Sequence, residues 1–313
     1  MRTVFLGTSE FAASVLGCLS GEDGARAPHR PALAITRPDR PAGRGRKLSS
    51  PPVAEAARTL GLDLAQPDSV NDPDTRALIA SAKPEAVIVC AFGALVKEPL
   101  LSDFQMLNVH PSLLPRWRGA APIERTIMAG DERTGVSIMR LTAGLDSGPV
   151  CLTAGESISA EDTYGSLAAK LERSGGRLLV DALDTLQRDG ELAFAEQDES
   201  QVSYAEKIGP ADRLLDPSRP AVELERTVRA LHPHIGARIA LPDGEMLGVH
   251  RAALADPQSS GGAGPSGTGL YVNEGHLLLA CATGTLELLV VQPPGKRPMG
   301  AAAFLRGHGL SGA

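Results

Sequence analysis

Residues 86–115 read AVIVCAFGALVKEPLLSDFQMLNVHPSLLP, and two apolar runs within this stretch indicate the fold. AVIVCA at 86–91 and MLNVH at 106–110 are rich in Val, Ile, Leu and Ala, as strands are when helices cover both faces of a parallel sheet. An open sheet of this kind binds its ligand beyond the carboxyl ends of its strands. The residues predicted to lie beside that crevice are Phe92, Gly93, Asn108 and His110.

The same alternation of apolar runs and helical patterns continues on both sides of this stretch. Strands are predicted at 3–7, 32–36, 134–141 and 148–158, and helices at about 53–61, 73–82 and 161–189. Strands separated by helices favour an α/β domain with a mostly parallel sheet.

The composition changes after residue 194, and this change predicts a second domain. The polar segment AEQDESQVSYAEKI at 195–208 has the composition of an interdomain linker. The remaining residues contain short apolar runs separated by Gly and Pro, which are typical of a small β-barrel or sandwich. The predicted bounds are therefore 1–194, 195–208 and 209–313, with a Gly/Ser-rich loop at 257–269.

Length and composition restrict the class of protein. A chain of 313 residues exceeds the usual size of one hydrophobic core, which favours two domains. The N-terminus becomes polar too early for a signal peptide and no apolar run could cross a bilayer, so the cytoplasm is the predicted location. The four cysteines lack zinc-ligand spacing, so they are predicted to be reduced and no metal is expected. Two domains without an exposed apolar repeat favour a monomer.

Asn108 and His110 are two positions apart on a predicted strand, so their side chains project from the same face. An imidazole exchanges protons near neutral pH, and an amide N–H can stabilise a developing oxyanion. Together they suit attack on a carbonyl or formyl carbon. The alternative is a buried histidine that hydrogen-bonds a backbone carbonyl and has no chemical role.

Two neighbouring segments could complete a site. Asp146 lies in GLDSG, where glycines let the backbone approach a ligand closely. Its carboxylate could orient a histidine, hold a water or accept a proton from an attacking amine, and the alternative is an ordinary turn. The run PSLLP at 111–115 has Pro at each end, so Leu113 and Leu114 are either an apolar wall for a flat ring or core residues.

Basic residues are concentrated in one segment of a chain whose formal net charge is −6. Between residues 30 and 47 the only acidic residue is Asp39. The basic residues there are Arg30, Arg37, Arg40, Arg44, Arg46 and Lys47. A local excess of positive charge favours contact with a polyanion, and the alternative is a solvated charged loop. The sequence Arg116-Trp117-Arg118, directly after PSLLP, indicates another anionic neighbour.

The segments NVHPSLLPRWRGAAPIE and GVSIMRLTAGLDSG together resemble the signature of the formyltransferases that use 10-formyltetrahydrofolate. The resemblance implies that Asn108, His110 and Asp146 surround the formyl group as catalytic residues. With the crevice residues, the implied folate-binding set is Phe92, Gly93, Ser112, Leu113, Leu114 and Pro115. The implied fold is a Rossmann-like catalytic domain followed by a C-terminal OB-like β-barrel, in agreement with the strand and helix pattern.

Further segments extend the resemblance over nearly the whole chain, towards the family members that act on methionyl initiator tRNA. These segments are TRPDRPAGRGRKLSSPPV at 36–53, EDTYGSLAAKL, VSYAEKI and QPPGKRPM. In those enzymes an inserted loop enters the major groove of the acceptor stem, which would make Arg44 the inserted residue. The residues that would contact phosphates are Arg40, Arg46 and Lys47. The C-terminal domain would also bind the tRNA.

The implied reaction transfers the formyl group of 10-formyltetrahydrofolate to the amino group of methionyl initiator tRNA, giving N-formylmethionyl-tRNA for translation initiation. It requires neither a metal nor a covalent enzyme intermediate. Three alternatives stay open: formyl transfer to an aminosugar nucleotide, hydrolysis of 10-formyltetrahydrofolate to formate, and a tRNA-binding module without catalysis. The basic loop argues against the first, and the intact set of Asn108, His110 and Asp146 argues against the last.

Overall fold

The chain divides into two compact units. The computed structural model describes residues 1–21, 27–42, 47–241, 243–255 and 269–307. The first unit consists of residues 1–119, 133–157 and 168–205, and the second of residues 120–132, 158–167 and 206–313. The domain bounds at 194 and 208 stay a prediction.

Within the described residues, eleven strands belong to the first unit. They are β1 Thr3–Gly7, β2 Pro31–Ile35, β3 Arg40–Ala42, β4 Lys47–Ser49, β5 Asp63–Ala65, β6 Ala86–Cys90, β7 Met106–His110, β8 Arg118–Gly119, β9 Arg133–Arg140, β10 Val150–Ser157 and β11 Tyr204–Ala205. Seven of them form one sheet in the order β10-β9-β7-β6-β1-β2-β5. The five strands from β7 to β5 are parallel, and β9 pairs antiparallel with both β7 and β10. The predicted mostly parallel α/β sheet is therefore confirmed.

Helices cover this sheet, and their starts follow local sequence signals. The α-helices in the described ranges are α1 Glu10–Leu19, α2 Pro52–Thr59, α3 Pro73–Ser81, α4 Leu100–Asp103, α5 Pro122–Ala129, α6 Tyr164–Asp189, α7 Ala221–Leu231 and α8 Ala301–Gly307. Of these, α5, α7 and α8 belong to the second unit. Ser9 caps α1 by accepting from the backbone N–H of Ala12. Proline occupies the first helical position of α2 and α3, where its missing N–H costs no hydrogen bond.

The alternation of side chains along β7 places the two predicted site residues on one face of the sheet. Met106 packs into the apolar core that also contains Val87 and Val89. Val109 points to the other face, where a Cβ on Gly175 of α6 would lie 3.3 Å from its side chain. Asn108 and His110 therefore project from the Met106 face, away from α6.

The second unit is built on an antiparallel sheet. Its strands are β12 Ala237–Ala240, β13 Met246–Leu254, β14 Gly269–Asn273, β15 His276–Ala280, β16 Thr285–Gln292 and β17 Met299–Gly300, in the order β12-β13-β16-β15-β14 with β17 paired to β16. Helix α7 packs Leu224 and Val228 against this sheet, and Phe304 of α8 is fully buried in the same core. The predicted C-terminal barrel-like domain is confirmed as an antiparallel half-barrel.

Some elements were not predicted. Strands β3 and β4 pair with each other within the basic segment, where Pro41 and the concentration of basic residues give no strand signal. Residues 257–268 of the predicted Gly/Ser-rich loop at 257–269 lie outside the described residues. No helix in the described ranges has the length and apolar character needed to cross a membrane.

All four cysteines are thiols outside any disulfide, in agreement with the prediction that they are reduced. Burial raises the pKa of the Cys90 thiol, and it raises the pKa of Cys151 and of Cys281 to about 11. Thiols held protonated in this way are poor nucleophiles and poor metal ligands.

Candidate active site

The three predicted catalytic residues meet at the carboxyl end of β7. Asn108 and His110 are almost fully buried there, and Asp146 lies on the loop between β9 and β10. Nδ2 of Asn108 donates to Oδ1 of Asp146 at 3.4 Å. Nδ1 of His110 lies 3.7 Å from Oδ2 of the same carboxylate. An amide, an imidazole and a carboxylate thus converge within the first unit.

The ring of His110 is oriented by a backbone carbonyl. Its Nε2 donates to the carbonyl oxygen of Trp117 at 2.9 Å. A carbonyl oxygen can only accept, so the neutral ring carries its proton on Nε2 and its lone pair on Nδ1. The distance from Nδ1 to Asp146 is too long for a hydrogen bond. Nε2 therefore makes the backbone hydrogen bond expected of a buried histidine without a chemical role. Nδ1 faces Asp146 and can still bind or release a proton.

Asp146 is held in an uncommon backbone conformation. Its φ of 45° lies in the left-handed region, which residues other than Gly, Asn and Asp seldom adopt. Oδ2 accepts from the backbone N–H of Gly119 at 2.9 Å, and the backbone oxygen of Asp146 accepts from Nε2 of Gln197 at 2.8 Å. The GLDSG segment is therefore a fixed loop with its carboxylate turned towards β7.

Arg118 is buried beside this loop and has an anionic partner in its own chain. Its guanidinium donates from Nε to Oε1 of Gln197 at 2.9 Å and from Nη2 to Oε1 of Glu199 at 2.7 Å. The hydrogen bond from Arg118 lowers the pKa of the Glu199 carboxyl. The neighbouring Arg116 lies over the ring of Trp117, with Cζ 4.5 Å from the centroid, which is cation–π geometry.

Sequence reasoning missed the roles of Gly119, Gln197 and Glu199. The segment that contains the last two was predicted to be a linker because it is polar. The one signal in the sequence was the acidic run EQDE, which could have been matched to the arginines after PSLLP. Residues 195–205 group with the first unit and contact the site loops.

Residues 112–115 belong to a loop with its own hydrogen bonds. The fully buried Ser112 donates from Oγ to the carbonyl of Arg116 at 2.6 Å, and Ser137 donates to the carbonyl of Ser112 at 2.7 Å. The side chain of Leu113 lies against Gly135 of β9. Leu114 and Pro115 line a cleft of about 330 Å³ between residues 150–153 and 195–198. Of these four predicted folate-binding residues, only Leu114 and Pro115 line that cleft.

The other two predicted folate-binding residues follow β6. Phe92 is 5% exposed and its ring belongs to the sheet core, while its carbonyl accepts from Oγ1 of Thr8 at 2.7 Å. Gly93 is exposed at a φ of 67°, and a Cβ there would lie 3.0 Å from Nη2 of Arg37. The exposed backbone of Gly93 is therefore accessible to a ligand, whereas the side chain of Phe92 is buried and its carbonyl is already bound to Thr8. Among the described residues, no group of three or more His, Cys, Asp and Glu side chains is arranged to hold a metal.

The basic segment lies only partly within the described residues. Arg40 is exposed on β3, and the Asp39 carboxylate beside it accepts from Gln66 at 2.7 Å and from Ser50 at 3.0 Å. These hydrogen bonds lower the pKa of Asp39 and attach the base of the hairpin to the unit. Arg44, Arg46 and the side chain of Lys47 lie outside the described residues.

Two family models match the chain. The model described as "Formyl transferase" matches residues 1–183, and the model described as "Formyl transferase, C-terminal domain" matches residues 207–309. The chain is 42% identical to the methionyl-tRNA formyltransferase of Methylococcus capsulatus, with 100% of this chain and 98% of the relative covered. It is also 42% identical to the enzyme of the same name from Ectopseudomonas mendocina, with 96% and 92% covered.

Solved structures of lower identity share the fold. An N-formyltransferase from Helicobacter canadensis, solved with folinic acid and dTDP-3-aminofucose, is 14% identical with a TM-score of 0.65, and 92% of this chain and 98% of that chain are covered. HypX from Aquifex aeolicus in complex with tetrahydrofolic acid is 16% identical with a TM-score of 0.65. The match covers 97% of this chain and 47% of HypX, so the chain spans about half the length of that protein.

Proposed function

The chain belongs to the methionyl-tRNA formyltransferases, and on this basis we propose that it transfers the formyl group of 10-formyltetrahydrofolate to the amino group of methionyl initiator tRNA. The product is N-formylmethionyl-tRNA, the starting aminoacyl-tRNA for translation initiation. The structural observation that supports this reaction is the convergence of Asn108, His110 and Asp146 at the end of β7.

The proposed roles follow from which atoms can donate. The amino nitrogen of the methionyl group attacks the formyl carbon, and the formyl oxygen gains negative charge as the tetrahedral species forms. The Asn108 amide and protonated His110 stabilise this oxyanion, because both present N–H donors at the same end of the sheet. Such donors act strongly here because both side chains are almost fully buried, which excludes water.

Asp146 organises the proton transfers. The attacking amine must lose a proton, and the folate nitrogen that leaves must gain one. A carboxylate 3.7 Å from Nδ1 of His110 supports the charged imidazole and can accept the amine proton directly or through a water. The carbon–nitrogen bond to the folate then breaks, and the formyl group remains on the methionyl nitrogen.

The binding residues are also part of the proposal. The folate lies along Gly93 and the 112–115 loop, where Leu114 and Pro115 offer an apolar wall. The segment from Arg40 to Lys47 binds the acceptor stem, with Arg44 inserted and the other three basic side chains on phosphates. The second unit contributes further tRNA contact. A monomer in the cytoplasm stays the predicted form and location of the enzyme.

A single-turnover assay of formyl transfer tests the proposal. Enzyme is mixed with 10-formyltetrahydrofolate and, separately, with methionyl initiator tRNA, methionyl elongator tRNA, an aminosugar nucleotide or buffer alone. Formylation of the initiator tRNA alone is the expected result for a methionyl-tRNA formyltransferase, and the basic loop argues against the sugar nucleotide as acceptor. Transfer to the sugar would identify an aminosugar-nucleotide formyltransferase instead. Release of formate in buffer alone would identify a 10-formyltetrahydrofolate hydrolase.

A further inference from the structure

The segment that follows α6 returns to the catalytic loops. This return segment comprises residues 195–205. Its first residue, Ala195, exchanges two backbone hydrogen bonds with Val150 at 2.8 and 2.9 Å, directly after the GLDSG loop. Its last two residues form β11, which pairs with β8. Both ends of the return segment are therefore attached to strands that adjoin the site.

Gln197 lies between these attachments and uses every hydrogen-bonding group of its side chain. Its Nε2 donates to the backbone oxygens of Asp146, at 2.8 Å, and Gly148, at 2.7 Å. Its Oε1 accepts from Nε of Arg118 at 2.9 Å. A primary amide with two donors and an acceptor is required for this pattern, and a carboxylate of the same shape would place an acceptor against two carbonyl oxygens.

Arg118 fixes Gln197 from the other side. It is 2% exposed, and its charge is paired with Glu199 of the same return segment. The next residue, Gly119, donates its backbone N–H to Oδ2 of Asp146. The two adjacent residues Arg118 and Gly119 therefore both act on Asp146. Gly119 binds its carboxylate directly, and Arg118 orients the Gln197 side chain that binds its backbone oxygen.

We propose that Gln197, which also lines the cleft beside Leu114 and Pro115, is a positioning residue for the formyl transfer. It sets the Asp146 carboxylate at its distance from His110 and Asn108, and every polar group of its side chain is already bound to a protein partner. The proposal rests on the proposed function. The loop needs such support because Asp146 has a backbone conformation that is unfavourable for most residues. A displacement of about 1 Å at a catalytic group can cost roughly a hundredfold in rate.

The test replaces Gln197 in two ways and measures kcat and KM for both substrates. Gln197→Glu keeps an acceptor for Arg118 but removes both donors to the 146–148 loop. Gln197→Met removes all three hydrogen bonds without introducing a charge. The matched control is Gln201→Glu in the same segment, because Gln201 is exposed and donates only to Asp198 among the hydrogen bonds assigned to its side chain. We expect kcat to fall by about 10- to 100-fold in both Gln197 variants, with both KM values and the control near wild type.

A double-mutant cycle separates positioning from general support of the fold. If Gln197 acts only through the carboxylate, then Gln197→Met should have no further effect on kcat in an Asp146→Asn background. An equal loss in both backgrounds, a loss confined to KM, or full activity of Gln197→Glu would overturn the proposal. Absence of formyl transfer by the wild-type enzyme would instead reject the proposed function, and this inference with it.

Discussion

Nε2 of His110 donates to the carbonyl oxygen of Trp117 over 2.9 Å, and this bond decides which ring nitrogen faces Asp146. Trp117 has a φ of 65°, so its carbonyl is presented by a left-handed residue in the loop after PSLLP. The backbone N–H of Trp117 donates to Oγ of Ser203 at 3.0 Å, and this hydrogen bond holds the Trp117 backbone in place. The backbone carbonyl of Trp117 thus fixes the orientation of the imidazole, and Nδ1 faces Asp146.

Loss of either proposed oxyanion donor, His110 or Asn108, should lower turnover strongly. We expect His110→Ala and Asn108→Ala each to reduce kcat by about a hundredfold or more, because a donor aimed at the developing negative charge is removed. Steady-state formylation of methionyl initiator tRNA measures this. His276→Ala is the control, because His276 is an exposed histidine of the second unit that pairs with Glu287. Near-native turnover in both site variants would refute their assignment.

Asp146→Asn should remove the carboxylate without disturbing the loop. Asparagine tolerates the left-handed φ of 45°, and its side-chain oxygen can still accept from Gly119. We expect kcat to fall by at least about tenfold through loss of acid–base catalysis, with an unchanged Tm. Asp146→Ala should in addition destabilise the fold by roughly 1–2 kcal/mol, because alanine disfavours that conformation. The control is Asp189→Asn at the exposed end of α6, and a fully active Asp146→Asn would exclude the proton-transfer role.

The sequence was sufficient for the elements whose signal is local. The strand MLNVH was predicted with its bounds, and the two-residue spacing placed Asn108 and His110 on one face because strand periodicity is fixed at two. Asp146 was singled out from the glycines around it, but a carboxylate between glycines is also typical of an ordinary turn, and only the resemblance implied a catalytic role. Its approach to β7 depends on the fold of the loop, which the sequence pattern does not specify.

The return segment shows where local reasoning fails. Its polarity predicted an interdomain linker and gave no sign that Gln197 and Glu199 use their polar groups to hold buried Arg118. Polar residues that satisfy a buried charge cannot be told from polar residues that face water unless their partner is known. The partner here is about 80 residues earlier in the chain, beyond the range of any periodicity.

Substitutions in the basic segment from Arg40 to Lys47 should weaken the binding of tRNA and leave the binding of folate unchanged. We expect Arg44→Ala to raise KM for methionyl initiator tRNA and to leave KM for 10-formyltetrahydrofolate unchanged, because the loop is proposed to contact only the acceptor stem. Arg40→Ala should reduce the slope of log affinity against log salt by about one, since each phosphate contact releases condensed counterion. Arg188→Ala, on the exposed end of α6 beside Asp189, is the control. Unchanged tRNA kinetics in both loop variants would remove the hairpin from recognition.

His232 should make the second unit less stable in mild acid. Its Nδ1 is buried without a hydrogen-bond partner among the described residues, and burial together with His250 and His234 lowers its pKa below 6.5. The unfolded chain therefore binds this proton more readily than the folded chain, so the free energy of unfolding decreases as pH falls below the unfolded pKa. The measurement is the urea midpoint between about pH 7.5 and 5.5.

Replacement of this histidine should weaken that pH dependence. We expect His232→Gln to lose less stability than wild type over the same pH interval, because glutamine has no proton to bind. His276→Gln is the matched control, since its ring is half exposed on β15. An identical pH dependence in wild type and His232→Gln would show that the destabilisation arises elsewhere.

Gly119→Ala should damage activity by displacing the donor to Asp146. Gly119 has a φ of 122°, and a Cβ there would lie 2.8 Å from the carbonyl oxygen of Ala205 in β11. The clash must shift the β8–β11 pair and move the Gly119 N–H away from Oδ2, so we expect both a lower Tm and a fall in kcat of at least about tenfold. Gly190→Ala is the matched control, because Gly190 also has a positive φ, 80°, with nothing within 4 Å of the added Cβ. That variant should have the conformational cost of roughly 1–2 kcal/mol alone, with kcat unchanged. Equal kcat values in the two variants would show that the hydrogen bond from Gly119 does not control the position of the carboxylate.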